Sequence, residues 1–99
     1  MRRVTVYAIA QLSIHDRDGY GRYVAAFMPV LQQYGGRLLV ADEQPEIVEG
    51  QWDGDKVVVV AFPDRDALIA WANSAEYQQI SKDRHAATNG VVLAVRGTS

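Results

Sequence analysis

The sequence lacks several residue types and patterns that would assign it to a functional class. Its 99 residues include no cysteine, which excludes a disulfide framework, a thiolate nucleophile and a cysteine-ligated zinc site. No apolar run approaches the ~20 residues that cross a bilayer. The residues after Met1 lack the unbroken apolar stretch and the cleavage site of a signal peptide. These absences predict a cytoplasmic protein with no membrane partner.

The charge balance does not favour a nucleic acid partner. Ten Lys and Arg against twelve Asp and Glu give a formal net charge of −2, whereas binding a phosphate backbone normally requires clustered cations. RNA binding on a sheet would also require exposed aromatic residues on its central strands. The run at 57–60 is all valine. We therefore predict no nucleic acid partner.

The chain does contain a tandem pattern. Asp-Arg-Asp occurs at 16–18 and again at 64–66, each time directly after an apolar, strand-like run. Two strand-then-helix units of the same build therefore follow one another. Because the hydrophobic fraction is 48% and no linker divides the chain, residues 1–99 are predicted to form a single domain.

The first unit reads as strand, helix and strand. Alternating apolar residues predict a strand over 4–14, after which Asp16 can cap a helix by accepting first-turn N–H groups. Glycines at 35–36 are expected to end that helix. A second strand is predicted over 37–41, interrupted by charge and proline and resuming at 47–49, a pattern that suits an edge strand.

The second unit begins with a buried strand over 56–62, apolar on both faces. Asp64 is expected to cap the next helix, and Ser74 to cap its continuation. Asn89-Gly90 is predicted to break the chain before a last strand over 91–95. The simplest arrangement is an α+β fold, βαββαβ, with one four-stranded antiparallel sheet of order 4-1-3-2 and both helices on one face.

The other face of that sheet lacks a cover, yet its residues are apolar in either register. Such a face would exceed the few hundred Å² of contiguous apolar surface that soluble monomers usually tolerate. A second copy, packed sheet against sheet, is the simplest cover, so we predict a homodimer. The alternative is a monomer whose uncovered face is made less apolar by Thr5, Gln11 and Ser13.

Several short motifs follow one another along the chain: Tyr20, Tyr23, Tyr34-Gly35-Gly36-Arg37, Glu49-Gly50-Gln51-Trp52, Phe62-Pro63, Ser74-Ala75-Glu76-Tyr77 and Arg84. In order and spacing, this set resembles a bacterial family of unknown function, family 1330, within the dimeric α+β barrel superfamily. The resemblance extends from Tyr7 to Gly97 and implies a ferredoxin-like protomer with a sheet-to-sheet dimer. It implies no defined reaction. Superfamily members include cofactor-free monooxygenases, lactone isomerases and haem-binding enzymes, and extending those activities to this chain would be analogy of fold alone.

Candidate functional residues collect at one end of the predicted fold, where strand 1 ends, helix 1 begins and helix 2 finishes. They are His15, Asp16, Tyr20, Glu49, Trp52, Asp53, Arg84 and His85. His15 is a candidate general base, or an exposed loop histidine. Glu49 can orient a histidine or bind a substrate hydroxyl, or form an ion pair. Arg84 can hold a carboxylate or phenolate, or complement the end of its helix.

Candidate ligand-binding residues are Tyr20, Trp52, Tyr77 and Arg84, although aromatic side chains at helical spacing are more often core. No metal or cofactor is predicted. Three functions stay open: a cofactor-free enzyme acting on a small apolar or aromatic, anionic molecule, a non-catalytic binding module, and a structural dimerisation module. A pocket of ~300 Å³ or more would favour the first two.

Overall fold

The computed structural model describes residues 4–99 and contains four strands and three helices. The elements are β1 Val6–Ile14, α1 Arg17–Gln33, β2 Arg37–Asp42, β3 Lys56–Phe62, α2 Arg65–Asn73, α3 Ala75–Ala87 and β4 Thr88–Arg96. The strands form one antiparallel sheet in the order β2-β3-β1-β4, which is the predicted 4-1-3-2 order read from its other edge. Among the described helices, none combines the length and apolar character needed to cross a membrane.

The repeated Asp-Arg-Asp motif begins two of the helices. The side chain of Asp16 accepts the N–H of Gly19, and that of Asp64 accepts the N–H of Ala67. Each carboxylate thereby satisfies a first-turn N–H that has no partner within the helix. Ser74 separates α2 from α3 and caps α3 in the same way, as the sequence predicted.

The helix face of the sheet carries the core. In antiparallel pairs, residues directly opposite one another point to the same face, so Ala8 shares a face with Val60 and Leu12 with Lys56. These alternate residues pack against the helices in one cluster of buried side chains. The intervening residues, such as Ile9 and its partners on the neighbouring strands, lie on the opposite face, which no helix covers.

Two element predictions are wrong, and strand pairing explains both. The second strand does not resume at 47–49, because β3 begins at Lys56, and residues beyond Asp42 have no strand to pair with. The chain is not broken at Asn89-Gly90, since β1 extends to Ile14 and pairs with β4 from Thr88 onward. Residues 43–55 instead form a long irregular connection.

Candidate functional site

A cavity of about 110 Å³ lies inside the protomer, between the helix face of the sheet and the helices α1, α2 and α3. Apart from Lys56 and Arg84, its lining is apolar or aromatic. The lining residues are Ala8, Ala10, Leu12, Tyr20, Tyr23, Val24, Phe27, Met28, Leu38, Ala41, Lys56, Val58, Val60, Trp71, Tyr77, Arg84 and Val92. The volume is below the ~300 Å³ expected from the sequence for a small-molecule site. It exceeds the ~30 Å³ that a water molecule occupies in the liquid.

Aromatic rings from three helices form one wall of the cavity. The rings of Tyr20 and Tyr23 on α1 lie 5.8 Å apart, and Tyr23 lies 5.4 Å from Phe27 on the same helix. The rings of Trp71 on α2 and Tyr77 on α3 are closer, at 4.1 Å, and tilted by 42°. Aromatic pairs in contact attract one another, so the wall is stabilised by its own contacts.

The hydroxyl groups of Tyr23 and Tyr77 form a buried hydrogen bond of 3.0 Å in which either group can donate. Burial raises the pKa of Tyr23, and the neighbouring Tyr77 raises it further. Tyr23 is therefore a neutral phenol at physiological pH. Because one of the two hydroxyls donates to the other, the second proton of the pair remains available to a ligand.

Arg84 brings an unpaired cation to the cavity. It lies in the last turn of α3, where its guanidinium carbon is 5.9 Å from the ring centre of Tyr23. Its Nε is fully buried and makes no hydrogen bond, and among residues 4–99 no carboxylate lies within 4.0 Å of the side chain. Trp71 Nε1 is likewise buried without a partner. Two residues of the lining therefore each carry a buried nitrogen donor that has no acceptor within the described chain.

Lys56 is the second cation of the lining and is only 7% exposed. Its Nζ lies 4.8 Å from the ring centre of Tyr20 and 3.8 Å from Oε2 of Glu43. The distance to Glu43 is too long for a hydrogen bond. Oε1 of Glu43 accepts a 2.6 Å hydrogen bond from Arg17 Nη1. That bond holds the pKa of the Glu43 carboxyl below its usual range.

One exposed part of the cavity lining lies between α1 and β2. Val24 on α1 and Leu38 on β2 line the cavity and are 45% and 39% exposed, and Val92 on β4 is a further exposed lining residue at 47%. The Arg17–Glu43 ion pair joins the first turn of α1 to the residue after β2. A ligand entering from this side would pass between two apolar rims and close to that ion pair.

The structure brings some of the predicted site residues together and separates others. Tyr20, Tyr77 and Arg84 all line the cavity. His15 and Glu49 are exposed and outside its lining, so a catalytic role for them stays a prediction. Trp52 lies in the 43–55 connection, where its indole packs over Gly54.

Three lining residues were not identified as site residues from the sequence. Tyr23 and Trp71 have the helical spacing of core aromatics, and in the structure they serve both as core and as cavity wall. Lys56 could have been found from strand alternation, because it shares a face with Val58 and Val60 at the start of a valine strand. Across residues 4–99, no three acidic or histidine side chains converge as a metal site would require.

A family model described as "Domain of unknown function (DUF1330)" matches residues 5–98. No curated protein matches the chain.

Several solved structures share the fold. A protein of unknown function from Rhodopseudomonas palustris superposes with a TM-score of 0.79 at 16% identity, covering 99% of this chain and 85% of its own. A dimeric ferredoxin-like protein of unknown function from Jannaschia sp. gives a TM-score of 0.66 at 18% identity, with 96% and 99% coverage. A cofactor-independent oxygenase from Streptomyces nogalater gives 0.62 at 11% identity, with 97% and 95% coverage. At these identities the likeness shows a ferredoxin-like fold.

Proposed function

This chain belongs to the DUF1330 family, and we propose that it binds one small aromatic or apolar acid, as its anion, in the cavity of each protomer. The observation that carries the proposal is Arg84, a half-buried cation that lines an apolar cavity and whose Nε is buried without a hydrogen-bond partner. A buried donor without an acceptor destabilises a folded protein, so such a group calls for an explanation. A carboxylate or phenolate in the cavity would supply the missing charge and acceptor.

The size of the cavity limits the ligand to about one ring. Engineered apolar cavities of ~150 Å³ bind benzene, and this cavity measures about 110 Å³ and is partly open. A single six-membered ring fits such a space if its substituents extend toward the exposed lining between α1 and β2. Polycyclic molecules do not fit without a change in the protein.

The aromatic wall suits a flat, apolar ligand body. Tyr20, Tyr23, Trp71 and Tyr77 present ring faces and edges to the cavity, and aromatic contacts favour another ring. Trp71 Nε1 and the free proton of the Tyr23–Tyr77 pair offer neutral donors beside the Arg84 cation. The cavity therefore combines an apolar body with several donors, which is the usual composition of a small-molecule site.

Binding without turnover is the function that the lining supports best. Among residues 4–99, no carboxylate and no histidine line the cavity, so the commonest general bases are absent there and only lysine and tyrosine side chains could take that part. A cofactor-free reaction on the same ligand class is the second candidate. The observation that favours it is the hydroxyl pair of Tyr23 and Tyr77, in which the raised pKa keeps Tyr23 protonated and able to donate a hydrogen bond to an oxyanion that develops in a ligand.

We also propose that the functional unit is a homodimer that buries the uncovered face of the sheet. That face carries Ile9, Val59 and Leu93 at its centre, and Leu93 is 48% exposed. Solved ferredoxin-like structures from Jannaschia sp. and Thermobifida fusca are described as dimeric. An apolar sheet face of this kind is stabilised by packing against its own copy.

The test compares benzoate with benzamide, which has nearly the same shape but no charge. Benzoate at millimolar concentration is expected to raise the melting temperature of the wild-type protein and to give a saturable calorimetric titration, because a ligand that binds the folded state stabilises it. Benzamide is expected to bind at least about tenfold more weakly. Arg84→Met should abolish the difference between the two ligands.

The matched control is Arg22→Met, which removes an exposed arginine of α1 that pairs with Asp83 and does not line the cavity. It should leave benzoate binding unchanged. The proposal fails if a panel of monocyclic carboxylates and phenols shows no binding, or if Arg84→Met binds benzoate as tightly as the wild type does. Incubation of bound ligands followed by mass spectrometry then separates binding from turnover.

A further inference from the structure

We infer that Glu43 restricts the cavity to ligands with a single negative charge, by occupying Lys56 as its resident counter-ion. This inference rests on the proposed binding of an organic anion and names the charge class of that ligand. It also assigns a specificity-determining role to a residue outside the cavity lining.

The inference begins with the charges that a ligand would meet. Two cations, Lys56 and Arg84, line the cavity, and the lining contains no anion. Within the described chain, Glu43 is the one carboxylate found within 4.0 Å of either cation. Asp55 is next to Lys56 in sequence, but its carboxylate accepts the N–H of Ile14 at 2.8 Å. Lys56 therefore has a counter-charge, and Arg84 has none.

Glu43 is held in place independently of Lys56. Its Oε1 accepts the hydrogen bond from Arg17, while Oε2 faces Lys56 at 3.8 Å. The bond from Arg17 keeps the carboxyl ionised, as the lowered pKa of Glu43 indicates. A negative charge held by Arg17 thus lies 3.8 Å from the ammonium of Lys56, a residue that lines the cavity.

Electrostatics then decides which anions can bind. A ligand with one carboxylate pairs with Arg84 and leaves the Glu43–Lys56 pair undisturbed. A second carboxylate near Lys56 would lie within several ångströms of Glu43, whose side chain is 48% exposed, and like charges at such distances repel even where solvent partly screens them. Dicarboxylates of the same shape are therefore rejected, although two cations line the cavity.

The experiment uses two pairs of ligands that differ in charge and hardly in shape: terephthalate with its monoamide, and succinate with its monoamide. In the wild-type protein, calorimetry is expected to show each monoamide binding at least about fivefold more tightly than its dicarboxylate. Glu43→Gln keeps the shape of the side chain and removes its charge. In this variant the ratio of the dicarboxylate affinity to the monoamide affinity is expected to rise about tenfold.

Two further variants separate charge from structure. Arg17→Gln breaks the same ion pair as Glu43→Gln but keeps the negative charge beside Lys56, so it should retain the preference for monoamides. Adding Lys56→Met to Glu43→Gln should cancel the gain in dicarboxylate affinity, because the cation that the second carboxylate would use is then absent. Melting temperatures of all variants identify any that are not folded.

The outcomes distinguish this inference from the proposed function. If no carboxylate binds the wild-type protein, the proposed function fails and this inference fails with it. If benzoate binds through Arg84 but Glu43→Gln leaves the ratio unchanged, only the role of Glu43 is refuted. The role is also refuted if benzoate binds and neither ligand pair does, or if Arg17→Gln shifts the ratio as much as Glu43→Gln.

Discussion

Arg84, Trp71, Tyr23 and Tyr77 share a property at the scale of single residues: each carries a buried polar atom and lines a cavity whose remaining residues, apart from Lys56, are apolar or aromatic. The buried nitrogens of Arg84 and Trp71 have no acceptor, whereas the two tyrosine hydroxyls satisfy each other. A protein optimised for stability alone would fill this space with aliphatic side chains, because unpaired buried donors destabilise the folded state. The proposed ligand would supply the acceptors that the protein itself does not.

The hydroxyl pair leads to a prediction about stability and pH. Tyr23→Phe is expected to lower the free energy of unfolding by about 1 to 2 kcal/mol at pH 7, because it leaves the buried hydroxyl of Tyr77 without a partner. The folded-state pKa of Tyr23 is raised by burial. Wild-type stability should therefore fall as the pH rises above the ordinary tyrosine value of about 10, where the unfolded chain loses its proton first.

Urea unfolding at pH 7 and at pH 10.5 measures both effects. Between pH 7 and pH 10.5, the free energy of unfolding should fall less in Tyr23→Phe than in the wild type. The reason is that the hydroxyl that stays protonated in the folded state has been removed. Tyr20→Phe is the matched control, since the Tyr20 hydroxyl makes no hydrogen bond within residues 4–99. Equal losses in the two variants would show that the hydroxyl pair contributes nothing specific.

Sequence reasoning identified single residues where the predicted topology and the chemistry of the side chain pointed to the same place. Arg84 was identified because helix 2 ends beside the other candidate residues in the predicted fold, and because a guanidinium can hold a carboxylate. Tyr23 and Trp71 were assigned to the core because a cavity-lining aromatic and a packed aromatic have the same helical spacing. Whether space remains between packed rings depends on the tertiary structure, and no sequence pattern encodes it.

At the scale of secondary structure, helix starts were predictable and strand limits were not. Asp16, Asp64 and Ser74 cap helices through contacts within three residues, so local sequence is sufficient. Strand limits depend on which partner strand lies alongside. β4 begins at Thr88 because β1 is long enough to pair with it, and Ile47-Val48 forms no strand because β3 begins too late.

The glycine at the start of β4 illustrates this dependence on a partner. Gly90 has a φ of +154°, and a Cβ atom at this position would overlap the backbone carbonyl oxygen of Gln11 on β1. Gly90→Ala is therefore expected to lower the free energy of unfolding by roughly 2 kcal/mol or more, because β1 and β4 must move apart. Urea unfolding followed by circular dichroism measures the loss.

Gly21→Ala provides the control for that substitution. Gly21 lies on the exposed side of α1, and no atom lies within 4 Å of the position that its Cβ would occupy. The same change of residue should therefore stabilise the protein by about 0.5 to 1 kcal/mol, since alanine favours the helix. If both variants were equally stable, the close approach of β4 to β1 at Gly90 would be incorrect.

At the scale of the whole molecule, the fold follows from two strand-helix units and a sheet with one uncovered face. The sheet order was predictable because right-handed connections and two similar units leave few alternatives. The face that packs on the helices was not predictable, because β3 is apolar on both faces. The structure assigns Val58 and Val60 to the cavity side and Val57 and Val59 to the uncovered side.

The proposed dimer predicts that a charge placed on the uncovered face separates the protomers without unfolding them. Leu93 is 48% exposed in the protomer and pairs with Ile9 on the central strand β1. Leu93→Lys is expected to raise the dimer dissociation constant by at least about tenfold, since a lysine amine cannot be buried between two apolar sheets without a partner. Sedimentation velocity over a range of protein concentrations measures the shift.

Val48→Lys distinguishes that effect from a general gain in solubility. Val48 is 92% exposed in the 43–55 connection, so the substitution adds the same charge and removes an apolar side chain away from the sheet. It should leave the dissociation constant unchanged, and both variants should keep the wild-type melting temperature when extrapolated to low protein concentration.

Because the cavity and the uncovered face lie on opposite sides of the same strands, Leu93→Lys should still bind benzoate. Loss of both dimer and ligand in this variant would mean that the cavity is complete only in the dimer, and equal dissociation in the two variants would place the dimer contact elsewhere.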